Sequence, residues 1–440
     1  MQRRLHHWAV DESGRRFDDL FNLVHHPCFL TVAWERVRNN PGRRTAGVDG
    51  VKPHGIGVYT ERFLRGIRED VKSRGFRPSP VREVQIPKAG GKLRSLGIPT
   101  AADRVVQASL KLVLEPIFEA DFLPCAYGFR PRRRAQDAIA EIHFLGTRGF
   151  RWVFEADIAK CFDEIDHGAL MQRVCGRVSD KRVLHLVRAF LKSGILSEDA
   201  VTRFSDTGTP QGGILSPLLA NIVLSGLDQH FDAKRRVLSS GWAMQRHLRA
   251  GGAKYRIVRY ADDFVVMVSG SRQHAEALWD EVAEVLSPMG LRLSEEKTRV
   301  CHIDEGFDFL GFRIQRCRKR GTAKTHIYTW PSKKALNSIK TKVRELTRRN
   351  RHRTLADLLH QLTLVLRGWC HYFKHGVSKA TFQYLDHFMW WRVTGWIRKR
   401  HPKLGWKTLR RRFWPDWQIR EGKLELFRPH AVPVTRYRYR

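Results

Sequence analysis

The chain has 440 residues, 80 of them Lys or Arg and 44 Asp or Glu, which gives a formal net charge of +36. Hydrophobic residues make up 42% and aromatics 10%, enough to build packed cores, so wholesale disorder is excluded. Seven cysteines without a C-x-x-C pair argue against a zinc ribbon or a disulfide framework, and no run approaches the roughly 18 apolar residues of a membrane span. The length points to two to four structural units. A positive surplus of this size self-repels unless a polyanion neutralises it, and nucleic acid is the obvious polyanion. The basic N-terminus is followed by no apolar signal core, so the expected setting is a reducing one, the cytoplasm, on nucleic acid and away from membranes.

Residues 1 to about 60 are polar and partly helical, ending in a Gly47-Val48-Asp49-Gly50 turn. Arg82 to Pro87 alternates like a strand, Gly90-Gly91 makes a hairpin turn, and Leu93 to Ile98 returns. Val105, Val106, Leu110, Val113, Leu114 and Ile117 form the buried face of a helix over 103–119. From about 150 to 315, short strands alternate with helices. Trp152 to Asp157 is a strand ending on a carboxylate. Two apolar runs, 255–260 and 264–268, flank Ala261-Asp262-Asp263, which sets two acids at a hairpin tip. Beyond about 330 the period is helical, with Ala335, Leu336, Ile339, Val343 and Leu346 on one face and a basic cluster over 348–353. The last 50 residues hold 15 Lys or Arg against 3 acids, interleaved with Trp391, Trp396, Trp406, Trp414 and Trp417. Those tryptophans suit either a small core or a base-stacking surface.

The chemistry gathers on three acids. If the strand ending at Asp157 neighbours the hairpin carrying Asp262 and Asp263, three carboxylates meet at one sheet edge. Such a cluster is costly unless cations neutralise it, and Mg²⁺ is the hard ion that oxygen ligands favour. Two Mg²⁺ ions about 4 Å apart activate an attacking 3′-hydroxyl and stabilise departing pyrophosphate. An Asp-Asp pair alone is more often a turn or a cap.

The context decides. Tyr260-Ala261-Asp262-Asp263 after Ile257-Val258-Arg259 resembles the metal-binding hairpin of reverse transcriptases, and the run from Asp157 to His167 resembles their first palm motif. Gly208-Thr209-Pro210-Gln211-Gly212-Gly213-Ile214-Leu215-Ser216-Pro217 through Ile222 matches the central motif of the group II intron-encoded branch nearly letter for letter. Ile86-Pro87-Lys88 with Gly91 and Arg94, Tyr127 to Pro131, Leu291 to Thr298, Phe309 to Phe312, and Arg367-Gly368-Trp369 with His371-Tyr372-Phe373 are similar, in order, to further blocks of that branch. The chain is identified as a member of the group II intron-type reverse transcriptases and maturases.

The resemblance implies an α+β right-hand polymerase: an N-terminal extension (1–60), fingers and antiparallel-sheet palm (61–325), a helical thumb or maturase domain (326–395) and a basic DNA-binding tail (396–440). It implies that Asp157 and Asp262 bridge two Mg²⁺ ions, with Asp263 beside them and the carbonyl of Ile158 completing the nucleotide-side site. Lys88 and Arg94 match the cations that grip the triphosphate, or are an exposed charge pair on a hairpin. Phe162 matches the aromatic that excludes a ribose 2′-hydroxyl, or packs in a core. Gln211 with Gly212-Gly213 matches the floor under the templating base pair. Lys297 either protonates the leaving pyrophosphate or is a surface lysine.

Expected partners are a group II intron RNA, an RNA template with a DNA primer, and target DNA; the oligomeric state stays open. No cysteine follows Cys370, so no C-terminal zinc endonuclease is expected. Two alternatives remain: a maturase that only binds RNA, and a domesticated relative in antiphage defence, repair or CRISPR adaptation. Bacterial origin is the expectation.

Overall fold

A computed structural model of the chain describes residues 1–87, 93–196, 202–203, 207–209, 212–238, 240–348 and 354–435. Lys88, the Gly90-Gly91 turn, Gln211 and most of the 348–353 basic cluster lie outside the described residues. The chain divides into two compact units: Met1–Arg133 with Phe154–Val266 and Gln273–Arg299, and Arg134–Val153 with Met267–Arg272 and Val300–Arg440.

The first unit is built around the helix Ala101–Glu119. It starts on Thr100, whose hydroxyl accepts from the Asp103 amide. The predicted apolar face is real but too narrow a description, because Gln107 and Ser109 are buried as well. The helices Gln2–Asp11 and Pro27–Asn39 pack against this one, so nearly all its sides are enclosed. The hairpin Val81–Pro87 and Leu93–Ile98 is antiparallel, with Ile86 opposite Arg94, and belongs to a sheet that adds Ile195–Leu196 and Thr202–Arg203. The expected Gly47–Gly50 turn forms, and the Gly50 amide donates to the Gly47 carbonyl.

A second sheet carries the acids. Its strands lie in the order Lys254–Tyr260, Asp263–Ser269, Trp152–Asp157, Arg299–His302. Val153, Phe154 and every residue from Phe264 to Val268 are fully buried, which is why these strands read as continuous apolar runs rather than alternating ones. The helix Ser216–Val237 packs on Lys254–Tyr260 and begins with a proline in its first turn, where a missing amide proton costs nothing. The α+β class expected from the sequence holds.

In the second unit the helix Ala135–Thr147 packs on an antiparallel sheet of Phe307–Phe309, Phe312–Arg318 and Thr325–Pro331. The helices Lys333–Leu346, Leu355–Phe373, Lys379–Arg400 and Trp406–Phe413 share one apolar core, to which Ile339, Val343 and Leu346 contribute the face read from the sequence. Trp396 and Trp414 are buried in it, whereas Trp391, Trp406 and Trp417 are exposed, with the Arg410 guanidinium 4.4 Å from the Trp417 ring centre. The two readings of these tryptophans therefore divide residue by residue. All seven cysteines are free thiols. Among the described residues, no helix is long and apolar enough to cross a membrane.

Candidate active site

The hairpin turn consists of Ala261 and Asp262, and Asp263 is the first residue of the returning strand. The neighbouring strand ends on Asp157. That end is pinned: the Asp157 carbonyl accepts from the Ser294 amide at 2.8 Å, and the Ala159 amide donates to the Arg292 carbonyl at 2.9 Å. A turn follows, in which the Lys297 amide donates to the Ser294 carbonyl, and it brings the Lys297 ammonium onto a carboxylate oxygen of Asp157. Sequence alone left Lys297 between two roles; the structure places it in contact with the acid cluster while most of its stem stays in solvent.

The three acids act on one another. Burial raises the Asp262 carboxyl above the ordinary carboxylate range, and the charge of Asp157 raises it further, while Arg94 and Lys297 oppose both. Asp263 keeps a solvent-facing edge, yet protein crowds it from below. That crowding raises its carboxyl first, then the charge of Asp262 and a hydrogen bond shared with Asp157. Lys297 is held protonated by its bond to Asp157. Each shift marks negative charge packed closer than it would sit in water.

Such a donor set, three carboxylates with the Ile158 carbonyl adjoining, is all oxygen and fits a hard divalent cation rather than a soft one. Among the described residues, no three His, Cys, Asp or Glu side chains stand preassembled as a metal cage. The Lys297 ammonium on Asp157 does part of the neutralising instead.

Other residues singled out from the sequence sit as follows. Arg94, on the strand Leu93–Ile98, is close enough for Asp262 to feel its charge. Phe162 lies half-buried in the short helix Cys161–Glu164, and its carbonyl accepts from the Thr209 amide at 2.5 Å. This bond, with the Gly208 amide donating to the Ile165 carbonyl at 2.7 Å, stitches the 207–209 segment to the run after Asp157. At Gly208 a Cβ would stand 2.6 Å from the Asp163 carbonyl oxygen, and at Gly212 it would stand 2.5 Å from that of Gly97. The glycine requirement in this motif is thus already explained by the chain's own backbone. Lys88 and Gln211 lie outside the described residues.

Three side chains of the site were not singled out from the sequence. Arg259, Asp228 and Asn221 form a buried cluster behind the hairpin tip. A signal existed: Arg259 is a charge directly after the apolar pair Ile257-Val258, and Asp228 is an acid on the buried side of a helix. Gln107 carries no such signal; its side-chain carbonyl accepts from the Ile214 amide at 2.8 Å and anchors the central motif. A cavity of about 680 Å³ in the second unit is lined by Arg367, His371, Arg420 and Arg428 among others, and by none of the clustered acids.

Comparison with known proteins gives the family of the chain. The family model described as reverse transcriptase (RNA-dependent DNA polymerase) matches residues 86–314, and that described as the group II intron maturase-specific domain matches residues 336–414. Protein YkfC of Escherichia coli is 36% identical, covering 77% of this chain and 93% of YkfC. The group II intron-encoded protein LtrA of Lactococcus lactis is 31% identical, covering 70% of this chain and 58% of LtrA. An uncharacterised 91 kDa protein in the cob intron of Schizosaccharomyces pombe is 31% identical over 67% of this chain and 41% of its own length. The chain thus spans little more than half of LtrA and less than half of the yeast protein.

Proposed function

The chain belongs to the reverse transcriptases with a group II intron maturase domain and is an RNA-directed DNA polymerase, and on that premise we propose that it copies a group II intron RNA into DNA at the Asp157–Asp262–Asp263 cluster and assists splicing of that intron. Enzymes of this family use divalent metals, and RNA is the class of partner the maturase domain implies. What carries the finer reading is the mutual crowding of the three carboxylates at one sheet edge: like charges held this close are a standing cost that a splicing-only binding protein has no reason to retain.

Asp157, Asp262 and the Ile158 carbonyl are the ligands we assign to two Mg²⁺ ions, with Asp263 as an adjoining ligand. When bound, the pair supplies Lewis acidity to the attacking 3′-hydroxyl and to the departing pyrophosphate. With the metals bound, Asp157 would serve as their ligand rather than as the partner of Lys297, whose ammonium, largely in solvent, would stand at the site's edge, able to give a proton to the leaving group. Arg94 grips the triphosphate, and the Phe162 ring occupies the space a ribose 2′-hydroxyl needs. Lys88 and Gln211 take the triphosphate and base-pair contacts that the family resemblance gives them. Primer and template follow the cationic surface through phosphate contacts that read no sequence. Residues 326–395 serve as thumb, and the basic 396–440 segment meets target DNA.

Primer extension on an RNA template with a DNA primer and Mg²⁺ tests the reading. Asp262→Ala should lower synthesis by about three orders of magnitude or more and leave RNA affinity within the same range as the parent. Persistent synthesis removes Asp262 from the metal site. Affinity should also fall steeply with added salt, since phosphate contacts release counterions; a flat response contradicts the reading of primer and template on the cationic surface.

A further inference from the structure

The strand Lys254–Tyr260 carries a charged side chain through a fully enclosed interior. Arg259 has no exposed surface, and neither has its partner Asp228 on the helix Ser216–Val237. The guanidinium is engaged on three sides. Nε and Nη2 donate to the two oxygens of Asp228 at 2.8 and 2.5 Å. Nη1 donates to Asn221 Oδ1 at 2.9 Å and to the carbonyl of Ala261 at 3.0 Å. Asn221 passes the connection on, its Nδ2 donating to the Gly128 carbonyl at 2.8 Å.

Gly128 itself lies against the turn, where an added Cβ would stand 2.3 Å from the Ala261 nitrogen. The segment before it pairs with the strand: Arg259 donates its amide to the Cys125 carbonyl, and Tyr127 donates its own to the Arg259 carbonyl. Ala261 has φ +60°, a left-handed conformation that a residue with a Cβ adopts only against a cost. It is the residue directly before Asp262.

We propose that Arg259, Asp228 and Asn221 are positioning residues for the metal-binding tip: by gripping the Ala261 carbonyl they hold the left-handed turn that aims the Asp262 carboxylate. The proposal rests on Asp262 being a metal ligand, as argued above. An enclosed ion pair contributes little net stability beyond an apolar pair of the same volume. What it supplies here, and an apolar pair cannot, is a fixed N–H donor for the Ala261 carbonyl. Asp228 has a second effect. It cancels the charge of Arg259, so that a guanidinium anchored next to the turn does not repel the cations the acids attract.

The test uses the full chain and the variants Asn221→Ala, Arg259→Lys and Asp262→Ala. Asn221→Ala leaves the Arg259–Asp228 pair in place, and Arg259→Lys keeps the charge but loses the fork. Metal binding is read without nucleic acid or nucleotide, as the Mg²⁺ concentration giving half of the maximal thermal stabilisation, and again as the Mg²⁺ dependence of primer extension. Both positioning variants should raise both midpoints by about ten-fold or more, as removal of groups that orient metal ligands does, with primer–template affinity unchanged. Folded variants that keep the parent midpoints overturn the proposal, however far their melting temperatures fall. Failure of both variants to fold overturns it too, since the network is then a requirement of the fold. Asp262→Ala should abolish Mg²⁺ stabilisation. If it does not, the metal reading of Asp262 fails and the brace with it, a result that leaves a different signature from unchanged midpoints in the positioning variants alone.

Discussion

The hairpin tip of the first unit and the helical core of the second are held together by opposite means. Behind Asp262 the contacts are directional: a buried guanidinium shares its donors among a carboxylate, an amide oxygen and a main-chain carbonyl. In the second unit, Leu358, Leu359, Leu362, Leu366, Leu385, Met389 and Val393 are fully buried and make no polar contact through their side chains. Its cations stay outside, as where Arg367 and His371 face outward from the helix Leu355–Phe373 while Cys370 and Phe373 turn in. Apolar burial stabilises in proportion to area and tolerates exchange of one hydrocarbon shape for another. A hydrogen-bonded network fixes positions to fractions of an ångström and fails when one member is lost. The molecule uses the first where it needs a folded body and the second where a carboxylate must be aimed.

The largest expected effect breaks the polar side of that contrast. Asp228→Ala leaves Arg259 charged, enclosed and unpaired, and should cost about 3–5 kcal/mol in urea unfolding. The double variant Arg259→Met with Asp228→Leu sharpens it. Stability should return close to the parent's, since an apolar pair replaces an ionic one, while primer extension stays low for want of a donor to Ala261. Recovery of extension would make the network a stability device.

On the apolar side, Leu362→Ala should cost about 2–5 kcal/mol through the cavity it leaves. Leu362→Met should cost less than about 1.5 kcal/mol and spare extension. A severe loss with methionine would show a core as exacting as the tip.

Asp103 lies between the extremes, an enclosed acid held by uncharged hydrogen-bond donors. Burial lifts its carboxyl to about 6, against hydrogen bonds from the Thr100 hydroxyl and the Ser79 amide that pull it down. A raised carboxyl binds its proton more tightly in the folded chain. The stabilisation is therefore complete below about pH 4 and is lost as pH rises through 6. Asp103→Asn removes that dependence. The parent's advantage over the variant should shrink by about 2–3 kcal/mol between pH 4 and pH 7, read by denaturant unfolding at each pH. A constant difference would mean the acid titrates normally.

The smallest effect concerns sugar choice. Phe162→Ala should raise ribonucleotide use relative to deoxyribonucleotide by about ten-fold, measured as the ratio of kcat/KM values. An unchanged ratio would assign the ring to packing against the 207–209 segment.

Much of this was legible beforehand because its signals are local. The strand Trp152–Asp157 forms over the residues expected, since a short apolar run stops on an acid and a turn. The hairpin around Asp262 was visible because two β-rich runs flank three small or polar residues. Other features are not local. Lys297 meets Asp157 across 140 positions of sequence, and Arg259 meets Asp228 across 31. Exposed Trp391 and buried Trp396 share the helix Lys379–Arg400 and differ only in which side of it faces the core.

Sequence by itself determined the strand ending at Asp157, the hairpin carrying Asp262 and Asp263, and the family, because propensity, periodicity and ordered motifs are written in neighbouring residues. Only the tertiary structure decided which charges neutralise which: that Lys297 takes Asp157, that Asp228 cancels Arg259, and that the Ala261 carbonyl receives a donor from inside. The physical reason is that a buried charge is stabilised by whatever lies within a few ångströms. Chain distance places no limit on which residue that is.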